Sequence, residues 1–441
     1  MYSAARPGAV MTSEYDREAA AINEGRNVLV PGDWDPADTS LLVHAPGYPL
    51  YLSAIYSLFG RSYFTVQLVQ NLINSISPVL IFFIAGLLIT WPVGIVSGLL
   101  AAVSHHLGYY SNLILPDSLS ALPILLAILT LIKTRRASGW WVYAITGLLI
   151  GAAVWMRPNA LLMGPLFALL LPLASVMRRQ VAKRAWIVAV APFLIIAPIT
   201  IRNYLVYGEF IPVSTNMGIV LWEGIADAGG ERFGAVSNDE EVAAQEAVWY
   251  NDPRYANSWS APDGIKRDRD RIKRSLRVIA ENPVWFAGAM MWRMKEMVKY
   301  SAHAPLVFRS SDTGMIEAAE AVRQEEEARR EKKKKKRAAA PDQTEEAEIV
   351  PGPEEAPDFA RRFSLAYGES IYRARPVARS LQRLAKETVL FFILLGAPII
   401  FFLSPRRGLL IFITPLYYLL IQSVMHTEFR YTLPMHYFLF I

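Results

Sequence analysis

The chain has 441 residues, of which 53% are hydrophobic and 19% are charged, and its formal net charge is +6. A soluble protein of this length normally has shorter apolar runs, so the composition favours a membrane protein with one hydrophilic block inserted. Cysteine is absent, which excludes disulfide bonds and thiolate metal sites. Much of the basic excess flanks apolar runs, and the sequence contains no zinc finger or similar module, so nucleic acid is not an expected partner.

The first 62 residues predict an external loop. Residues 1–46 are irregular in pattern, although Ser13 to Gly25 has helical character and Ser13 suits an N-cap. Pro49 to Phe59 is rich in tyrosine and too short to cross a bilayer, so it predicts a helix in the membrane interface. A multispanning protein whose first loop is external ordinarily begins with a span. We therefore expect a leading span, a trailing span, or both to lie outside this sequence.

Eight apolar runs are long enough to cross a bilayer, which takes roughly 17–25 residues for each span. The first full span carries a stripe of polar residues at helical spacing. Such groups in lipid should face other helices or a cavity, and interhelical hydrogen bonds are the favoured interpretation. The stripe consists of Gln67, Gln70, Asn71 and Asn74. The runs lie at about 64–89, 91–111, 118–133, 140–156, 158–176, 185–201, 388–404 and 408–425.

Three basic clusters predict the orientation of these spans. If every run crosses, the clusters at 133–136, 178–184 and 406–407 lie on one face, which the positive-inside rule makes cytoplasmic. The opposite face then receives the polar residues that could carry chemistry, including Asp117 and Arg430-Tyr431.

The hydrophilic block at 202–386 has three parts. Residues 202–300 carry aromatic residues at the density of a folded domain and end in a predicted amphipathic helix, Asn282 to Tyr300. Residues 311–360 have almost no core-forming residues and include the basic run Lys332 to Arg337, so disorder or a solvated charged helix is expected. The lysines could touch anionic lipid, but a solvated linker is the favoured interpretation. Residues 361–386 regain a helical pattern.

Together these elements predict an all-α polytopic membrane protein with external loops and a mixed or helical periplasmic segment. Its regions are 1–62, the external loop with an interfacial helix; 63–201, a bundle of about six spans; 202–386, the large periplasmic loop; and 387–441, C-terminal spans that look truncated.

Several short motifs follow one another along the chain. His44-Ala45-Pro46-Gly47-Tyr48-Pro49 is a rigid turn, which by itself indicates only a structural corner. Arg157-Pro158 and Arg202-Asn203 are equally weak alone. In order, and with Asp117 and the segment Glu428 to Pro434, they resemble the GT-C membrane glycosyltransferases, in particular the branch with the protein O-mannosyltransferases and the lipid A aminoarabinose transferases. The resemblance covers most of the chain except 225–385, and its other matches are Tyr15, Ala19, Gly25, Gln70, Gly208, Pro212 and Gly218.

The resemblance implies a GT-C-like bundle in a bacterial inner membrane. Such an enzyme transfers a sugar from a polyprenyl-phosphate donor to a protein, lipid or glycan acceptor at the periplasmic face. The reaction needs a carboxylate to orient or deprotonate the acceptor, and cations to hold the phosphate leaving group. A rival hypothesis is a lipid-linked-sugar transporter or flippase, which needs no carboxylate pair and more often has internal repeats, which the sequence lacks. A membrane scaffold is a weaker third option.

The resemblance also implies two acidic residues. Asp117 stands at the start of a span where the family has its second acidic residue, although an N-cap is the simpler explanation. The family's first-loop aspartate falls at Met11 when Tyr15 is matched, so Glu14 or Asp16 would have to replace it. Alternatively Tyr2 and Ala5 are the true match, the aspartate precedes Met1, and the chain as given is inactive. The second alternative agrees with the expected missing span.

The remaining candidates bind substrate. The resemblance makes Arg202 and Arg430 candidates for the donor phosphate and His44 a candidate to line the acceptor entrance. Tyr48 and Tyr431 are further substrate-binding candidates. His105-His106 do not have the spacing of metal ligands, because adjacent side chains project in different directions on a helix. Whether a divalent cation takes part stays open, and no cofactor is assigned.

Overall fold

The computed structural model describes residues 13–26, 40–134, 139–298, 395–426 and 428–441. Within these ranges the chain is helical and contains no strand, which confirms the predicted all-α class. The predicted tracts at 311–360 and 361–386 lie outside the described residues. The first helices are α1 (Ser13–Asn23), α2 (Ser40–Val43), α3 (Gly47–Phe59), α4 (Tyr63–Asn74), α5 (Ile76–Leu88), α6 (Trp91–Val103), α7 (His105–Asn112), α8 (Asp117–Thr134), α9 (Trp140–Met156), α10 (Met163–Ala174) and α11 (Arg178–Tyr207). They are followed by α12 (Met217–Asp227), α13 (Asp239–Trp249), α14 (Gly264–Glu281), α15 (Pro283–Val298), α16 (395–403), α17 (Pro405–Ser423) and α18 (Leu433–Phe438).

The membrane-crossing helices are less uniform than the apolar runs predicted. In the described part of the chain, two stretches are long and apolar enough to span alone, Tyr63–Leu88 and α11. α7 and α8 form a third span only if they are counted together, and they are bent by 119°. The single span predicted over 91–111 is wrong, because α6 ends at Val103 and Ser104 then caps α7 by accepting a hydrogen bond from the Leu107 amide. Shorter apolar helices, α6, α9 and the stretch Pro158–Ala174, complete the set.

One apolar core joins α8, α9, α10, α11 and α17. Small residues let these helices approach closely, as at Gly147 of α9, where a Cβ would lie 2.6 Å from the Cβ of Ala191 on α11. The outward faces carry large exposed side chains such as Leu99, Leu169 and Leu194, which suits contact with lipid hydrocarbon. The helices therefore pack as a bundle with an apolar exterior.

Residues 209–298, called the loop module below, have an apolar core of their own. Ile219, Trp222, Ile225 and Val242 pack together between α12 and α13. Beside them the fully buried Glu246 carboxylate accepts hydrogen bonds of 2.6–2.8 Å from Arg267 and Arg271 of α14. Such a buried carboxylate is tolerated because two guanidinium groups neutralise it and satisfy its lone pairs. The amphipathic helix predicted over Asn282 to Tyr300 is α15.

Candidate functional site

Asp117 begins α8 and forms a buried ion pair with Arg157. Its side chain is 2% exposed, and Oδ1 accepts a hydrogen bond from Nη2 of Arg157, which follows the last residue of α9. The carboxylate thus pairs with a residue 40 positions away instead of capping its own helix. Oδ2 has no hydrogen-bond partner among the residues that the structure describes. Because an unpaired buried oxygen is costly, this atom is suited to accept a proton or hydrogen bond from a bound molecule.

The polar stripe of α4 holds the turn that precedes Asp117. Gln70 donates from Nε2 to the carbonyl oxygens of Ser111 (2.9 Å) and Leu113 (2.6 Å), and Asn74 donates to the Ser118 hydroxyl (2.9 Å). The predicted interhelical hydrogen bonds are therefore present. Tyr48 completes the support, since it is fully buried and its hydroxyl donates to Oε1 of Gln70 at 3.0 Å. This position gives Tyr48 a supporting role behind the site.

The rigid turn around Gly47 brings α3 against the end of α9. A Cβ at Gly47 would overlap the backbone carbonyl of Trp155, so only glycine allows this approach. Trp155 is itself fixed by a hydrogen bond from Nε1 to the carbonyl of Ile195 in α11 (2.6 Å). The turn therefore sets His44 close to Arg157, two residues beyond Trp155.

One face of α1 points toward this cluster. The Tyr15 ring lies 4.3 Å from His44 and 5.2 Å from Tyr48, measured between ring centroids. Glu18, 2% exposed, has Oε1 4.0 Å from Nδ1 of His44. Burial, followed by the nearby charge of Arg157, lowers the pKa of His44 to about 4, so the ring is neutral near pH 7. Tyr15, Glu18 and Ala19 share this face because residues three and four apart are neighbours on a helix.

The other acidic residues of α1 are placed differently. Asp16 forms an ion pair with Arg61 and accepts a hydrogen bond from the Tyr56 hydroxyl (2.8 Å), which fastens α1 to α3. Asp16 is thus used for anchoring. Glu14 belongs to α1, but its side chain lies outside the described residues. Glu18 was not among the candidates predicted from the sequence, although its three-residue spacing from Tyr15 places both side chains on one face of a helix.

Arg430 and Tyr431 approach the ion pair from the opposite end of the chain. The guanidinium carbons of Arg157 and Arg430 lie 4.6 and 5.2 Å from the centroid of the Tyr431 ring. Arg430 also binds Glu428, with Nε 2.7 Å from Oε2 and Nη2 2.8 Å from Oε1. Asn159 donates to the Tyr431 carbonyl at 3.1 Å and so ties this segment to the end of α9. One aromatic ring therefore serves two cations, as cation–π contacts allow.

Arg202 of α11 lies buried within electrostatic range of Glu18 on α1. Its side chain is 1% exposed, and none of its three guanidinium nitrogens donates a hydrogen bond to a residue in the described ranges. Glu18 and Tyr207 are the groups within electrostatic range. The next residue, Asn203, donates to the Ile211 carbonyl (2.8 Å) and fixes the following turn. A buried guanidinium without hydrogen bonds is costly, so the position suits a bound anion.

Tyr15 connects these groups. It is 6% exposed and lies within electrostatic range of Asp117, Glu18, Arg157 and Arg430. The structure thus brings Asp117, His44, Arg430 and Tyr431 close to Tyr15, and Arg157 and Glu18 lie beside them as further functional candidates.

The adjacent histidines His105 and His106 open α7. His106 is 1% exposed and its ring lies 5.0 Å from that of Phe429, while the side chain of His105 lies outside the described residues. Over 13–26, 40–134, 139–298, 395–426 and 428–441, no group of three histidine, aspartate or glutamate side chains has a spacing that could hold a metal ion.

One family model matches part of the chain. Residues 43–201 match the family model described as dolichyl-phosphate-mannose-protein mannosyltransferase. The match confirms the resemblance to the GT-C membrane glycosyltransferases and supports a membrane glycosyltransferase that uses a polyprenyl-phosphate-linked sugar. The matched segment includes His44, Asp117 and Arg157, whereas Arg202 and Arg430 lie outside it. No curated protein matches the chain, and no solved structure does.

Proposed function

We propose that this protein transfers a sugar from a polyprenyl-phosphate donor to a protein, lipid or glycan acceptor at the periplasmic face of a bacterial inner membrane. The observation that carries the proposal is the buried carboxylate of Asp117, paired with Arg157 and with Oδ2 left for a ligand. Carboxylates and arginines gathered at one end of a membrane bundle match the needs of this chemistry, which joins an acceptor to a phosphate-linked sugar.

The acceptor hydroxyl or amine attacks the anomeric carbon of the donor sugar. The new bond from the acceptor atom to this carbon forms as the bond from the carbon to the phosphate oxygen breaks, and polyprenyl phosphate leaves. The acceptor proton passes to a carboxylate. We assign this base to Glu18, on the face of α1 that carries Tyr15, and give Asp117 the role of orienting the acceptor. Glu14 stays the alternative base.

Arginines hold the phosphate before and after bond cleavage. Arg430 presents its guanidinium group beside Tyr431, and Arg202 offers donors that no described residue engages. A guanidinium group binds phosphate through two parallel hydrogen bonds, and such preorganised cations stabilise charge that develops on a leaving group. His44, neutral and largely buried beside Tyr15, lines the acceptor side.

The orientation in the membrane can be tested directly, because the chain has no native cysteine. A cysteine at position 179, in the basic cluster, should resist a membrane-impermeant thiol reagent in intact cells. A cysteine at position 251, in the loop module, should react. Labelling at 179 with protection at 251 would reverse the proposed orientation.

The reaction itself is tested with purified protein in liposomes that contain a polyprenyl-phosphate sugar. The family description makes the mannose donor and a protein hydroxyl acceptor the first pair to try. Sugar covalently attached to the acceptor, with release of polyprenyl phosphate, supports the proposal. Movement of the intact lipid-linked sugar across the bilayer without transfer would instead identify a transporter.

A further inference from the structure

The segment between α17 and Arg430 is clamped by the loop module. The His426 amide donates to the Val220 carbonyl of α12 at 2.7 Å. Gly224, one turn further along α12, packs so closely on the backbone of Met425 and His426 that a Cβ would overlap it. The His426 ring also pairs with Asp227 of α12 through Nδ1. Residues 425–426 therefore lie along α12.

Arg293 of α15 closes this clamp. Its side chain is 3% exposed, Nη1 donates to the Ser423 carbonyl at 2.6 Å, and Nη2 donates to the Gly224 carbonyl. The Ser423 carbonyl belongs to the last turn of α17, where helix carbonyls have no partner within their own helix. One guanidinium group thus joins the end of a bundle helix to α12 and α15 of the loop module.

The position of Arg430 depends on both ends of this segment. Arg430 lies seven residues after Ser423, in the short helical turn Phe429–Thr432. On its far side, Asn159 holds the Tyr431 carbonyl. Arg430 lies between these two anchors, so loss of the Arg293 anchor should loosen one end of the segment and let Arg430 move relative to Tyr431.

We propose that Arg293 is a positioning residue for Arg430, through which the loop module controls how tightly the donor phosphate is held. The inference rests on the proposed function of Arg430. Arg293 does not reach the donor itself. It acts by keeping the end of α17 and residues 425–426 against α12. A ligand that moves α12 or α15 would change donor affinity by the same route.

The test compares Arg293→Met with Arg274→Met in the full chain, purified in lipid nanodiscs. Arg274 is a matched control, since it also lies in the loop module but stacks on Trp249 at 3.8 Å and has no contact with 423–426 among its described interactions. We expect Arg293→Met to raise the KM for the polyprenyl-phosphate sugar roughly tenfold, the effect of losing hydrogen bonds from a charged group, with a smaller change in kcat. Arg274→Met should leave the KM unchanged, and Arg293→Lys should restore part of the loss.

A second readout does not depend on sugar transfer. Amide hydrogen exchange in residues 424–432 should speed up in Arg293→Met and stay as in the wild type in Arg274→Met. Faster exchange without any transferase activity in the wild type would uphold the clamp and reject the proposed function. Unchanged exchange in Arg293→Met, or an equal rise in KM in both variants, would overturn the inference.

Discussion

Arg157 and Asp117 form an ion pair that joins the end of α9 to the start of α8, and the ring of Tyr431 lies against the same guanidinium group. This arrangement links three parts of the chain that are far apart in sequence. It also fixes the direction of the Asp117 carboxylate, because one oxygen is committed to Arg157 while the other has no partner in the described structure. A carboxylate held in this way is preorganised for an incoming ligand.

Removing the cation should distinguish stability from function at this pair. Arg157→Met leaves a buried carboxylate without its counter-ion, which costs about 3–5 kcal/mol in comparable cases, and should abolish transfer. Arg61→Met is the matched control, since it breaks a different ion pair, the one that joins Arg61 to Asp16 of α1. It should lower the melting temperature yet retain transfer in the folded fraction. Equal activity in the two variants would show that the Arg157 pair is only structural.

Two neighbouring carboxylates of α1 should have separate effects. Glu18→Gln should lower kcat by roughly 10²–10⁴-fold, the usual contribution of a general base. Asp16→Asn should instead lower the melting temperature, because it weakens the contacts with Arg61 and Tyr56. Steady-state kinetics and thermal unfolding of both variants check this. A large loss of kcat in Asp16→Asn with normal kcat in Glu18→Gln would exchange their assigned roles.

Arg202 should destabilise the folded protein when no ligand is bound. Arg202→Met removes a buried guanidinium group that has no described hydrogen bond, so the ligand-free variant should melt at a temperature equal to or above that of the wild type. Polyprenyl phosphate should raise the melting temperature of the wild type and raise that of the variant much less. If the ligand stabilises both proteins equally, Arg202 does not bind the phosphate.

The loop module should be less stable at high pH. Burial, followed by the charge of Asp239, raises the pKa of Glu223 to about 8. Because this pKa lies above the ordinary glutamate value of 4.5, the folded module binds the proton more tightly than the unfolded chain. The stability that this contributes is complete below about pH 4.5 and is lost as the pH rises through about 8. Burial also raises the pKa of Asp268, to about 7, with the same sign.

Glu223→Gln should therefore flatten the fall in melting temperature between pH 6 and 9 without removing it. At pH 9 the variant should melt a few degrees above the wild type. This corresponds to a difference in the free energy of unfolding on the order of 1 kcal/mol. Glu241→Gln, at an exposed position of α13, is the control and should follow the wild-type curve. A wild-type melting temperature that rises with pH over this range would contradict the assignment.

The sequence predicted features that depend on local pattern. The apolar run at 140–156 coincides with α9, and the polar stripe of α4 makes the expected interhelical hydrogen bonds. The sequence did not predict the break between α6 and α7. There Ser104 caps the start of α7 and ends a run that its apolar pattern alone would continue. Helical spacing could have singled out Glu18 ahead of Asp16.

Other features depend on contacts that no local pattern contains. The link from Asn159 to Tyr431 joins residues 272 positions apart, and that from Arg293 to Ser423 joins residues 130 apart. The sequence placed Arg157 in a motif, but only the fold shows that it pairs with Asp117. Long-range pairing of buried charges follows from the packing of several helices at once, so it had to come from the structure.

In the proposed reaction, Asp117 orients the acceptor for sugar transfer from a polyprenyl-phosphate donor. The most direct measurement is transfer by purified Asp117→Asn and wild-type protein in liposomes, with donor binding measured on the same samples. We expect kcat of the variant to fall at least about 100-fold, while its affinity for polyprenyl phosphate stays within about twofold of the wild type. Transfer by Asp117→Asn at the wild-type rate would contradict this expectation.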